Sequence, residues 1–130
     1  MLKIDLKSFE QAPDNWSEVF DYREDLNALK PQLEEFARFN KIIVIGNGGS
    51  ITSFDSYTAA LTPEKPSATV WTMEPDYINK IKSSFAKDDT LVIAISKSGN
   101  TLGLLEALFA FEGYDVLVVT NPESGTLSQV

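Results

Sequence analysis

The sequence predicts an α/β fold in which helices cover both faces of a parallel β-sheet. Four short apolar runs have the composition of buried strands, and helical patterns separate them along the chain. This alternation is typical of βαβ units with right-handed crossovers. Two of the runs end in loops of glycine and hydroxyl side chains, which indicates a ligand site at the carboxyl ends of the strands.

The first 40 residues predict mainly helices, and the alternation of Leu2, Ile4 and Leu6 leaves a short edge strand open. The run Asn15-Trp16-Ser17-Glu18 matches a capping box, which starts a helix. Apolar residues then recur at spacings of three and four, as on a helix face that packs on a core. They are Leu26, Leu29, Leu33 and Phe36. Pro31 interrupts this pattern and predicts either a kink or two abutting helices. We therefore expect a helical lead-in over residues 1–40 and a separate domain over residues 41–130.

The four predicted strands all lie in the second region. Residues 42–45 are apolar and β-branched, as in a strand that is buried on both faces. Further strands are predicted over residues 68–73, 90–96 and 116–120. Trp71 falls inside the second strand, so we expect it to pack in the core or at the sheet edge.

Helical patterns fill the connections between the strands. They are expected over residues 51–61, from Pro75 onward and over residues 101–112, and a further helix is expected to start at Thr126. Pro75 suits the first position of a helix, where a missing N–H costs little. Gly113 suits a helix end, because glycine readily adopts positive φ there. With the strand order 2-1-3-4, these elements form a three-layer, doubly wound, flavodoxin-like fold.

Two loops of small polar residues leave the first and third strands. The glycine loop is Gly46-Asn47-Gly48-Gly49-Ser50, and the serine loop is Ser96-Lys97-Ser98-Gly99-Asn100-Thr101. In a 2-1-3-4 sheet these strands are neighbours, and ligands bind at the carboxyl edge between them. Backbone N–H groups, hydroxyls and an ammonium all suit an anion. The two loops together therefore predict a site for one phosphate group.

Each loop offers specific donors, and each also has a purely structural interpretation. Gly48 and Gly49 would let backbone N–H groups approach an anion closely. Ser50 is either a helix N-cap or a phosphate donor. The hydroxyl donors of the serine loop are Ser96, Ser98 and Thr101. Lys97 either adds a charge or points to solvent. Taken singly, either loop is compatible with turn and capping chemistry, and their pairing favours binding.

The composition excludes several kinds of site. The chain has 130 residues and no cysteine or histidine, which rules out disulfides, thiol catalysis and imidazole bases within it. The net charge is −8, from 11 basic and 19 acidic residues, so neither nucleic acid nor an anionic membrane is an expected partner. No apolar run approaches the ~20 residues that span a bilayer. We expect a cytoplasmic protein without a metal site.

At these two loops the sequence resembles the sugar isomerase (SIS) domain. The glycine loop is similar to the Gly-x-Gly-Gly-Ser loop of glucose-6-phosphate isomerases, and the serine loop resembles their Ser-Lys-(Ser/Thr)-x-x-Thr phosphate loop. Other SIS domains, such as that of the glucosamine-6-phosphate synthases, usually carry Gln where this chain has Lys97. The run Val119-Thr120-Asn121-Pro122-Glu123-Ser124 also looks like that family's fourth strand and following loop. The resemblance covers about residues 40–130.

The resemblance implies interconversion of glucose 6-phosphate and fructose 6-phosphate in glycolysis and gluconeogenesis, with a Glu base moving a proton between C1 and C2. It implies that seven residues bind the substrate phosphate: Gly48, Gly49, Ser50, Ser96, Lys97, Ser98 and Thr101. The family often has Glu where this chain has Gly103, and its catalytic Glu, His, Arg and Lys lie further along a much longer chain. We therefore expect no catalytic residue in this chain, no cofactor, and a homodimer. We also expect the 130 residues to be a fragment that is inactive alone.

Two other interpretations remain open from the sequence. The chain could be a non-catalytic sugar-phosphate-binding SIS module or regulator. It could also be a Rossmann dinucleotide-binding domain, since Gly46-x-Gly48 begins that fingerprint and Glu74 could hold a ribose. Against the second stands Ile51, which occupies the position of the third glycine.

Overall fold

The structure, a computed structural model, describes residues 29–31, 33–60, 65–71, 74–120 and 125–129. The chain divides into two compact units, Met1–Ala37 and Arg38–Val130. In the first unit residues 29–31 and 33–34 are helical, and a 3₁₀ helix, Glu35–Arg38, follows them. The edge strand left open at residues 2–6 and the expected capping box at residues 15–18 lie outside the described residues.

The apolar stripe expected in the lead-in is not a buried face where the structure describes it. Leu29 and Leu33 are each 44% exposed, and Phe36 is half-buried. The expectation that these leucines face a core was therefore wrong. Spacing in a sequence predicts which side chains share a helix face, but it does not show whether another element covers that face.

The second unit contains a four-stranded parallel sheet. Its strands are β1 (Lys41–Gly46), β2 (Ser67–Val70), β3 (Thr90–Ser96) and β4 (Asp115–Thr120). They lie in the order β2-β1-β3-β4, as the sequence predicted. Gly46 pairs with Ile95 in the register of β1 and β3, so these two central strands end side by side. The glycine and serine loops therefore start from neighbouring positions at one edge of the sheet.

Strand β2 is shorter than the sequence suggested, and this changes the position of Trp71. Its pairing with β1 ends at Val70, opposite Ile45. Trp71 follows the strand and is 66% exposed, so the expectation that it lies in the strand and packs in the core or at the sheet edge was wrong. The pairing of β2 with β1 stops at Val70 although β1 continues to Gly46, so Trp71 lies beyond the last paired residue of its strand.

Three α-helices connect the strands. They are α1 (Gly49–Ala60), α2 (Pro75–Ser84) and α3 (Leu102–Ala110). Pro75 occupies the start of α2, and Gly113 adopts a φ of +84° after α3, as their positions predicted. The helix expected to start at Thr126 is only a 3₁₀ helix, Thr126–Gln129, and another short one, Lys87–Asp89, precedes β3. Among the described residues no helix has the length and apolarity to cross a membrane.

The main core lies between one face of the sheet and helices α2 and α3. Alternate residues of the two central strands contribute to it, because successive side chains of a strand point to opposite faces. Its buried members are Ile43, Ile45, Val70, Ile78, Ile81, Val92, Ala94, Leu104, Ala107, Phe111 and Leu127. The connection from β1 to β2 and the connection from β3 to β4 run in opposite directions across the sheet. Because both crossovers are right-handed, α1 lies on the face opposite α3. Ile51 of α1 is buried there. The fold is therefore the expected α/β arrangement with helices on both faces.

Candidate functional site

The two loops face one open cleft at the carboxyl edge of the sheet. The cleft has a volume of about 420 Å³. Its lining residues are Asn47, Ser50, Ile95, Ser96, Lys97, Ser98 and Thr101. Five of the seven residues proposed from the sequence line it, while Gly48 and Gly49 do not. Asn47 and Ile95 line it without having been proposed from the sequence.

The glycine loop turns directly into helix α1. Gly48 has a φ of +55°, and its carbonyl accepts hydrogen bonds from the backbone N–H groups of Ile51 and Thr52, both at 3.2 Å. Gly49 is already the first residue of α1. Ser50 therefore lies inside the first helical turn and is not the N-cap, so the capping interpretation of this serine was wrong. Its half-buried side chain faces the cleft instead.

The serine loop is organised by Ser96, the last residue of β3. Ser96 is only 5% exposed. Its Oγ lies 3.0 Å from Oγ1 of Thr101 and accepts a 3.2 Å hydrogen bond from the backbone N–H of Gly99. Gly99 has a φ of +67°, which closes the turn. The loop is therefore preorganised by its own hydroxyls, with Thr101 directed toward Ser96.

Thr101 occupies the N-cap position of α3 but does not cap it. Its side chain makes no hydrogen bond to the helix, although its carbonyl accepts bonds from the N–H groups of Leu104 and Leu105. Two helices thus begin at the cleft, and their first N–H groups lack partners within the helix. These groups and the helix dipoles favour an anion between the loops.

The serine loop is supported by a segment near the C-terminus that was not expected at the site. We refer to residues 125–129 as the C-terminal turn. Oδ1 of Asn100 accepts hydrogen bonds from the backbone N–H of Thr126 at 2.9 Å and from its Oγ1 at 3.2 Å. The backbone N–H of Leu127 donates to the carbonyl of Gly99 at 3.0 Å, and the Leu127 side chain is buried in the core. Only the tertiary fold brings these residues together, because about 25 residues separate them along the chain.

Lys97 supplies the charge of the cleft. It is the one ionisable side chain among the seven lining residues, and it is exposed. No carboxylate or imidazole lines the cleft. Gly103, at the position where a Glu is common in the resembling family, is exposed and contributes no side chain. Among the described residues there is no group of acidic side chains that could hold a metal ion. The cleft therefore offers hydroxyl and ammonium donors and no proton-accepting base.

Comparisons with known proteins agree with this geometry. No family model matches the sequence. The chain is 30% identical to a glucose-6-phosphate isomerase of Desulfitobacterium hafniense over 104 residues, which is 73% of this chain and 20% of that protein. It also resembles the crystal structure of a glucose-6-phosphate isomerase from Chlamydia trachomatis, at 26% identity and a TM-score of 0.60, over 72% of this chain and 22% of the other. The chain is similar to sugar isomerase (SIS) domains in sequence and in fold.

A third similarity extends over nearly the whole chain. The similarity to the structure of phosphoheptose isomerase GmhA from Neisseria gonorrhoeae covers 97% of this chain and 81% of the other, with a TM-score of 0.61 and 19% identity. At that identity the likeness concerns the fold alone. The chain spans about a fifth of the length of the curated relative that it matches.

Proposed function

We propose that this chain is the sugar-phosphate-binding part of a glucose-6-phosphate isomerase, which interconverts glucose 6-phosphate and fructose 6-phosphate in glycolysis and gluconeogenesis. The observation that carries the proposal is the single cleft that unites both loops and presents Ser50, Lys97 and Ser98 with the paired hydroxyls of Ser96 and Thr101. The identity to a glucose-6-phosphate isomerase over 104 residues supports it.

The donor set suits a phosphate dianion. The Lys97 ammonium supplies the charge, and the hydroxyls of Ser50 and Ser98 supply hydrogen bonds from opposite walls. Such charge-assisted hydrogen bonds are about twice as strong as neutral ones. Either hydroxyl of the Ser96–Thr101 pair can be the donor, so Thr101 can donate to the phosphate when it accepts from Ser96. Gly48 and Gly49 shape the loop. The backbone N–H groups of Gly49 and Ser50 remain available, whereas those of Ile51 and Thr52 donate to the Gly48 carbonyl.

The role of the cleft in the reaction is to position the substrate. A phosphate held between the loops fixes the sugar carbons relative to a base, and such orientation accounts for much of enzymatic rate acceleration. None of the cleft residues is a carboxylate or an imidazole that could move the proton between C1 and C2. We assign that step to residues of a longer protein, outside this chain, and propose that residues 41–130 form an incomplete SIS domain behind a lead-in of residues 1–40.

A titration followed by NMR tests the binding site. Fructose 6-phosphate should shift the backbone amides of Ser50, Ser98 and Thr101, and fructose without phosphate should leave them unchanged. Lys97→Gln should weaken the shifts. A parallel titration with NADH tests whether the glycine loop binds a dinucleotide instead. If NADH shifts the glycine loop and sugar phosphates shift neither loop, the sugar-phosphate assignment fails.

An isomerase assay tests the division of labour. The 130-residue chain should produce no fructose 6-phosphate from glucose 6-phosphate, and measurable turnover would contradict the assignment of the base to another part of the protein. A non-catalytic SIS module or regulator is the second candidate, because the cleft itself holds no base. The protein purified from its natural source separates the two, since only the isomerase should turn over substrate.

We further propose that the protein is a cytoplasmic homodimer. Strands β2 and β4 each pair with one neighbour, and such edges favour association with another copy. Light scattering coupled to gel filtration measures the mass directly, and a monomer at all concentrations would contradict this proposal. Neither nucleic acid nor membrane is a proposed partner, given the net charge of −8.

A further inference from the structure

The glycine loop contains the one Asn-Gly pair of the sequence, Asn47-Gly48. In such a pair the side-chain amide of the asparagine lies close to the backbone nitrogen of the next residue. Glycine has no Cβ to hinder that nitrogen, and its backbone turns more freely than that of any other residue. Every other asparagine of the chain precedes a residue with a side chain. Because asparagine is among the thermolabile residues, this pair is the most labile amide of the sequence.

The structure leaves both reacting groups of this pair accessible. Asn47 and Gly48 are exposed, and Gly48 has a φ of +55°. Within the part of the chain that the structure describes, neither the Asn47 side chain nor the Gly48 backbone N–H has a hydrogen-bond partner. Asn100 on the serine loop is also exposed, but its Oδ1 accepts two hydrogen bonds from Thr126. The two asparagines therefore differ in how firmly the side-chain amide is held.

Deamidation of this pair is a balanced hydrolysis. The Gly48 nitrogen attacks Cγ of Asn47, the bond from Cγ to Nδ2 breaks, and the amide leaves as ammonia with the proton that the backbone nitrogen gives up. The product of this step is a cyclic succinimide. Water then opens the ring at either carbonyl, which yields aspartate at position 47 or isoaspartate, in which the chain continues through the side-chain carboxyl. The steps together consume a water molecule, release an ammonia and transfer no electrons.

The position of Asn47 couples this reaction to the phosphate cleft. Asn47 lines the cleft, in which Lys97 is the one ionisable side chain. A carboxylate at position 47 would repel a phosphate and offset the ammonium, so the cleft would change from net positive to neutral. Isoaspartate would also lengthen the backbone between β1 and α1, which moves Ser50 relative to the serine loop. Both products therefore weaken the same anion site.

We propose that Asn47 is a site of spontaneous deamidation, and that this modification weakens phosphate binding in the cleft as the molecule ages. The consequence for binding rests on the proposed function, whereas the modification itself does not. The reaction needs no enzyme and no cofactor, since its co-reactant is water. Because the amide does not re-form from the carboxylate and ammonia, each modified molecule stays modified.

Peptide mapping by mass spectrometry tests the modification. The folded chain is incubated at physiological temperature and mildly alkaline pH in a phosphate-free buffer, and each asparagine is followed by the mass change from amide to acid. Asn47 should convert first, with both aspartate and isoaspartate as products. Asn100, which is exposed on the serine loop, is the internal control and should persist. No conversion of Asn47, or conversion of Asn100 at the same rate, would overturn the proposal.

Phosphate titration before and after the incubation tests the consequence. The aged chain should bind inorganic phosphate about tenfold more weakly than the fresh chain at low ionic strength, the scale of one added charge near the ligand. Asn47→Gln keeps an amide on a longer side chain, which disfavours ring closure, so its phosphate affinity should be the same before and after incubation. Asn47→Asp should bind phosphate about tenfold more weakly than fresh Asn47→Gln.

The outcomes separate this proposal from the proposed function. Conversion of Asn47 with unchanged phosphate affinity would overturn the link between modification and binding. So would an equal loss of affinity in incubated Asn47→Gln, because another change would then be the cause. A fresh chain that binds neither phosphate nor fructose 6-phosphate would overturn the proposed function and the consequence for binding, while peptide mapping would still decide the modification.

Discussion

Gly125 holds the C-terminal turn against the serine loop at a distance that permits no side chain. A Cβ on Gly125 would lie 2.4 Å from the carbonyl oxygen of Ser98 and 2.7 Å from Cα of Gly99. Both are backbone atoms of the serine loop, so one of the two segments must move. The φ of Gly125 is +94°, a region that costs a residue with a side chain about 1–2 kcal/mol. Overpacking adds a further ~1–3 kcal/mol. We expect Gly125→Ala to lower the free energy of unfolding by about 3 kcal/mol, as the sum of these terms.

Gly113→Ala is the matched control for the backbone term. Gly113 has a similar φ of +84°, but a Cβ there would meet no atom within 4 Å. The free energy of unfolding of this variant should fall only by the conformational cost of about 1–2 kcal/mol. The difference between the two variants therefore measures the steric contact between the C-terminal turn and the serine loop.

Urea denaturation of both variants gives the free energies, and phosphate titration of the folded variants shows whether the loop has moved. Gly125→Ala should bind phosphate more weakly than Gly113→Ala, because Ser98 and Gly99 are displaced. Equal destabilisation by the two substitutions would refute the reasoning, since it would mean that the turn does not support the loop at the distance the structure shows.

Three further predictions concern side chains. Lys97→Gln should weaken phosphate binding about threefold to tenfold at low ionic strength. The effect should be smaller in high salt, because salt screens an exposed charge. Equal effects at both ionic strengths would contradict a charge role for Lys97. Ser96→Ala should lower the free energy of unfolding by about 1 kcal/mol, because it leaves the Thr101 hydroxyl without its partner. If the urea midpoint and the phosphate affinity are both unchanged, this hydrogen bond does not organise the loop. Burial raises the pKa of Tyr114 above its ordinary value of 10.0, so the stability this group contributes is present below pH 10.0 and is lost as the pH rises through its folded pKa. Tyr114→Phe should therefore make the unfolding free energy fall less steeply above pH 10.0. The variant also loses the hydrogen bond to the carbonyl of Phe85. If the slope of unfolding free energy against pH is unchanged, the pKa assignment is refuted.

The sheet could be predicted well because its signals are local. The apolar run that became β3 was assigned over residues 90–96, and the structure has the same bounds. The strand order 2-1-3-4 came with the flavodoxin-like fold class that the alternating pattern indicated. The errors arose where another element determines the outcome. Trp71 continues a β-like run, but its strand stops pairing at Val70. Leu29 belongs to an apolar stripe that no described element fully covers.

The sequence by itself determined which hydrogen-bond donors follow the two central strands, because strands and loop residues can both be identified from short stretches of sequence. Ser50, Lys97 and Ser98 were identified in this way. Only the tertiary structure decided how those donors are held. Asn100 accepts a hydrogen bond from Thr126, 26 residues further along the chain, and Gly125 packs against the serine loop. It also decided that Asn47 lines the same cleft as Lys97. Hydrogen bonds and close contacts between distant segments depend on the folded path of the chain, and no local pattern records that path.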